Sequence, residues 1–192
     1  MMKQSFYGML LFIFLALPPV AAIMESVMIV HMHMQMTFLV ISGLLMGRFF
    51  QLKFPQFFSK WNRNGIPGIL LFAVIWSYWM IPRAMDEALM IQLVELFKFV
   101  SLPFLAGVPL RDSWKKIGSA GQRIVFGFLI LVFSVMAWLY IGADSQICNN
   151  YLQVEQQTLG WGSLFIGALL LVYVIQLFFI DTTAYEEAEQ SS

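Results

Sequence analysis

Met24-Glu25-Ser26-Val27-Met28-Ile29-Val30-His31-Met32-His33-Met34-Gln35-Met36 opens a run that reaches Arg48 without another formal charge. That length matches the ~20 apolar residues needed to cross the hydrocarbon core of a bilayer, so the stretch reads as a membrane-spanning helix over 26–50. Arg48 closes it, with a side chain long enough to snorkel to the interface.

The rest of the chain repeats the pattern. Further apolar runs predict spans at 66–81, 84–108, 124–141 and 159–180, and 6–22 before the opening stretch. The first run has two readings. Its basic start, short hydrophobic core and small residues at Val20-Ala21-Ala22 resemble a signal peptide, whereas Pro18-Pro19 and the Met-rich segment that follows leave no clean polar region after a cut and favour a retained span. The expected fold is therefore an all-α, single-domain (1–192) polytopic bundle of about six spans, or five with a cleaved signal. Composition agrees, since 60% hydrophobic and 11% charged residues cannot cover a soluble globule of this size.

Between the spans, residues 51–64 mix Lys53, Lys60 and Arg63 with Phe54, Phe57, Phe58 and Trp61, as in a segment lying on headgroups. Trp76, Tyr78 and Trp79 form an aromatic belt, and Asp86 is placed to cap or charge-stabilise the start of the helix after Pro82. Lys3, Arg48, Lys53, Lys60, Arg63, Arg111, Lys115, Lys116 and Arg123 share one side, leaving Arg83 opposite and Lys98 within the membrane. The positive-inside rule then predicts an inner (plasma) membrane protein with both termini cytoplasmic. Glu25, the His/Met stretch, Asp86, Glu87 and the loop around Cys148 converge on the outer face.

Thioether and imidazole ligands suit Cu(I), so the opening stretch is the candidate metal site. At 100° per residue Met24, Met28, His31 and Gln35 share one stripe, with Glu25 and Met32 on its shoulder and His33 opposite. His31, His33, Met28, Met32 and Glu25 are the candidate ligands, with Glu87 or Met90 able to complete the set. A site using both histidines needs an unwound segment or a dimer. Any one methionine reads more readily as ordinary packing, and His31 reads equally as a site or as a histidine bonded to a neighbouring helix. Cys148 is alone, which excludes an intramolecular disulfide and CxxC chemistry.

Glu95 and Lys98 are a second candidate, an intramembrane ion pair about 14–18 Å past Asp86 at helical rise and near the bilayer centre. Three residues apart, they face one side and can neutralise each other, as a structural pair or a proton relay. Pro103 should bend the helix beyond them. Walker, dinucleotide, HExxH and Gly-x-Ser-x-Gly motifs are missing, so the sequence does not read as an enzyme or a nucleic-acid binder.

His31-Met32-His33-Met34 near the outer end of an early span, Trp79-Met80-Ile81-Pro82-Arg83 with Asp86, and Gly107 with Trp114 after a long helix together resemble the caa3-type cytochrome c oxidase assembly factors. Those small polytopic membrane proteins are implicated in delivering copper to the oxidase. The resemblance implies a copper-handling accessory role, with oxidase subunits or another copper protein as partner. The competing expectations are a small ion- or proton-coupled transporter using Glu95 and Lys98, and a structural subunit of a membrane complex.

Overall fold

The computed structural model describes residues 2–143 and 145–179; Asp144, the final residue of the predicted 159–180 span and the acidic tail with Asp181, Glu186, Glu187 and Glu189 lie outside the described residues. Those described form an all-α bundle without strands. Four helical stretches are long and apolar enough to cross a membrane: Val30–Lys53, Gln92–Trp114, Gly118–Gly142 and Gln153–Leu177. Up to six exist if each of two bent pairs counts as one span.

Proline makes both bends. Helix α1 (Met2–Ala16) ends at Leu17, whose ψ of 127° is the extended backbone that a following proline enforces, and Pro18 and Pro19 then start α2 (Pro18–Glu25) where no N–H is needed. The two axes differ by 71°. Ile81, with ψ 125°, repeats the device between α5 (Ile66–Trp79) and α6 (Pro82–Met90), which differ by 72°.

The span expected over 84–108 is corrected. The helix breaks at Ile91, which has extended φ and ψ of −120° and 109°, and the crossing stretch starts afresh as α7 (Gln92–Val100). The cause lies in composition: Arg83, Asp86 and Glu87 make α6 too charged to lie in hydrocarbon. Lys98 is therefore six residues into the crossing stretch that starts at Gln92, about 9 Å at helical rise. Asp86 does not cap α6 either, because Ile81 is the N-cap and Asp86 lies mid-helix.

The crossing stretch continues through a π-helical segment, Ser101–Gly107, into α8 (Val108–Trp114). Pro103 sits in this wide turn, and the Val108 N–H donates to the Pro103 carbonyl five residues back. A second π segment, Val30–Gln35, carries both histidines and leads into α3 (Met36–Lys53), with the Met36 N–H donating to the His31 carbonyl. Such turns often mark functional segments.

At the centre of the bundle, α3 crosses the Ser101–Gly107 segment with backbones touching. A Cβ on Gly43 would run into the Pro103 backbone, and one on Gly107 into the Val40 carbonyl. Gly43 and Gly47 have the small-xxx-small spacing that permits such approach. Helix α1 lies along α3 through Gly8, where a Cβ would be 2.7 Å from Leu45 Cβ. The last two helices, α9 (Gly118–Gly142) and α10 (Gln153–Phe179), pack mainly on each other as a hairpin.

Short helix α4 (Pro55–Trp61) follows α3, exposing Phe57 and burying Phe58, as an interfacial segment would. It is tied down by the Asp112 carboxylate, which accepts from Gln51 Nε2 (2.9 Å), Asn62 Nδ2 (2.6 Å) and Lys116 Nζ (2.6 Å). The 51–64 segment and the end of α8 thus meet at one end of the bundle.

Candidate functional site

Lys98 is the least expected side chain in the core. Its residue is 0% exposed, and an ammonium so placed needs every proton accepted. Three acceptors meet it: Glu25 Oε1 at 2.5 Å, His31 Nε2 at 3.1 Å and Gln35 Oε1 at 3.3 Å. Gln35 Nε2 then donates to the same Glu25 oxygen at 3.1 Å, so the carboxylate is held from two directions.

An ammonium can only donate, so His31 Nε2 must accept and Nδ1 must carry the ring proton. That N–H donates to Tyr151 Oη at 2.8 Å, and the tyrosine hydroxyl donates onward to the Glu25 carbonyl at 2.7 Å. The five side chains close into one satisfied network drawn from the end of α2, the first π segment, α7 and the 145–152 loop. Its charges sum to zero, with one ammonium, one carboxylate and a neutral imidazole.

The loop holds Tyr151 in place by two latches. Asp86 accepts from the Asn149 N–H (2.8 Å), the Asn150 N–H (3.4 Å) and Asn150 Nδ2 (3.2 Å). Gln156 accepts from the Ile147 N–H at 2.9 Å and donates to the Tyr151 carbonyl at 3.0 Å. Burial, reinforced by the Glu25 charge, pushes the Tyr151 hydroxyl pKa upward, so it stays a neutral donor.

Cys148 is buried in the same loop, 3.4 Å from Tyr140 Oη, and burial raises its pKa. It is a thiol facing Tyr140 and not a thiolate offered to a metal. Replacing Asp86 by alanine should free the loop. Hydrogen bonds to a charged acceptor are worth about 1.5–3 kcal/mol, so opening and maleimide labelling of Cys148 should become at least ~10-fold faster. An unchanged labelling rate would show that Asp86 does not latch the loop.

The two histidines part company. His33 Nε2 bonds Ser163 Oγ of α10 at 3.0 Å, and its ring meets Phe133 of α9 edge-on at 5.6 Å. Met28 and Met32 are fully buried beside His31 in sequence, while Met34 is exposed and Met24 half-buried. Glu95 is half-buried, and the ion pair of Lys98 is made with Glu25 and not with the neighbour three residues away. Glu87 instead pairs with Arg83 at 2.8 Å, and Met90 is exposed, so neither completes a His31 site. Among the described residues, no group of three or more His, Cys, Asp or Glu could hold a metal ion.

Sequence reasoning missed Tyr151 and gave Gln35 no role. Gln35 was on the His31 stripe, so its position was available; Tyr151, 120 residues from His31, carried no local signal. Comparison of the chain with known protein families, with curated proteins and with solved structures gives no match.

Proposed function

We propose that the protein is a non-enzymatic membrane accessory protein that captures a cation at the outer end of the bundle, with the Lys98 ammonium as tethered occupant of the cation-free site. One observation carries this reading: three acceptors of different chemistry converge on a single ammonium inside the core. If Lys98 follows Glu25 away, His31 Nε2 is the lone pair released.

Cu(I) suits these donor types, because Met28 and Met32 are buried and close to His31 in sequence, and thioether with imidazole prefers the reduced ion. Glu25 and Gln35 are harder oxygen donors, suited to keeping Lys98. His33, turned toward Ser163, is outside the set. The resemblance to oxidase assembly factors supports copper delivery to a respiratory oxidase as the setting. The excess of basic residues at the Asp112 end supports cytoplasmic termini, so membrane-impermeant maleimide should reach Cys148 of Asp86→Ala in intact cells.

A second reading, a proton or ion relay, draws on the continuous Lys98–His31–Tyr151 chain of hydrogen bonds. Against it, Leu39, Val40, Leu102 and Ala106 fill the core between this network and the polar cluster at Asp112. The two buried serines of that stretch bond elsewhere, Ser42 donating to the Leu39 carbonyl and Ser101 accepting from Trp79 Nε1.

Copper competition against a chromophoric chelator under reducing conditions tests the proposal. Wild type should bind about one Cu(I) per chain, with a larger loss of affinity for His31→Ala than for His33→Ala. The charge-balanced Glu25→Gln/Lys98→Leu variant should bind at least ~10-fold more tightly, since it removes a charged donor worth about 1.5–3 kcal/mol from His31 Nε2. If neither protein takes up copper, the reading is wrong, and proton flux into proteoliposomes becomes the measurement that separates relay from structural pair.

A further inference from the structure

At the Arg48 end of the bundle a cleft of about 700 Å³ opens between α1 and α3, within the size range of ligand pockets. Its walls are apolar and include Met9 of α1 and Phe50 of α3. Phe104 stacks edge-on against both Phe12, at 5.6 Å, and Phe50, at 5.8 Å, so part of the lining is a braced aromatic wall. The close α1–α3 approach at Gly8 fixes the two helices, and the cleft is therefore preformed.

Its rim is different in kind. Lys3 and Arg48 line the same cleft, Lys3 exposed and Arg48 half-buried, and among the described residues neither has an ion-pair or hydrogen-bond partner. Two unmatched cations beside an apolar trough at a helix end call for an amphiphile with an anionic head. A zwitterionic lipid would fill the trough but leave the net charge unanswered. An anionic phospholipid answers both, with a phosphodiester that the Arg48 guanidinium can grip through paired N–H groups.

We infer that this cleft is a binding site for an anionic phospholipid, its acyl chain between α1 and α3 and its phosphate between Lys3 and Arg48. Basic pockets between membrane helices take acidic headgroups in this way. The site is separate from the Lys98 network and stands whatever that network binds.

Native mass spectrometry of the protein released from nanodiscs of mixed phosphatidylglycerol and phosphatidylcholine tests it. Wild type should retain phosphatidylglycerol preferentially, by about fivefold for each of the two basic residues. Lys3→Gln/Arg48→Gln should keep bound lipid but lose the preference, and Met9→Trp, which fills the trough, should lose the tightly held lipid itself. Equal retention of both lipids by wild type, or a preference surviving either variant, would overturn the assignment. Thermal protection by inorganic phosphate equal to that by phosphatidylglycerol would also overturn it, by showing a bare anion site.

Discussion

Lys98→Leu should lower the unfolding stability of the detergent-solubilised protein by about 3–5 kcal/mol, the range for removing one partner of a buried ion pair. The reason is what remains behind. Glu25 keeps its charge with only the Gln35 amide facing it, and both His31 Nε2 and Gln35 Oε1 lose their donor inside the core. Glu25→Gln/Lys98→Leu should recover at least half of the loss, because no stranded charge is left and an apolar side chain fills the lysine's volume. Glu95→Gln should change stability by less than about 1 kcal/mol, because the half-buried Glu95 acts on Lys98 only through space and makes no ion-pair contact with it. Denaturant unfolding followed by circular dichroism reads all three. A Glu95 variant as damaging as Lys98→Leu would return the lysine to its nearer neighbour in sequence and remove the basis of the network described here.

That comparison shows where the sequence stops being legible. Apolar run length and charge segregation are summed over many residues, so the helical membrane bundle could be read before any contact was known. Pairing is a property of two residues and the path between them. Glu95 looked like the partner of Lys98 because a continuous helix over 84–108 puts them on one face. Both residues still lie on one helix, α7, three apart; what the spacing could not show is the bend after Leu17, which swings Glu25 to Lys98 from 73 residues away. The charges of α6 carried the warning of the break at Ile91: Arg83, Asp86 and Glu87 within five residues are poor candidates for hydrocarbon. The His31 stripe assumed a regular helix, whereas the chain turns at Ser26 and Val27 and is π-helical over Val30–Gln35; His31 and Gln35 nonetheless both reach Lys98. What it could not supply was Tyr151, which reaches the site only because Asp86 and Gln156 hold its loop.

Gly43→Leu should have the largest effect of any single substitution on assembly. Helix α3 and the Ser101–Gly107 segment meet so closely that even a methyl group at Gly43 would occupy the Pro103 backbone. Backbone cannot rotate aside as a side chain can, so the helices must separate. Separation breaks the crossing shared by Val40, Gly43 and Gly107, and it draws α7, with Lys98, away from the segment that carries His31 and Gln35. Overpacking of an ordinary core costs about 1–3 kcal/mol, and a clash with the Pro103 main chain belongs at or above the top of that range. Gly43→Ala should already cost about 3 kcal/mol, and Gly43→Leu should yield no monodisperse protein on size-exclusion chromatography. Gly127→Ala is the control, since a Cβ there meets nothing within 4 Å and alanine is the better helix former by about 1 kcal/mol. If Gly43→Leu instead elutes and melts like wild type, the two segments do not cross in contact, and the path that brings Lys98 to His31 loses its mechanical support.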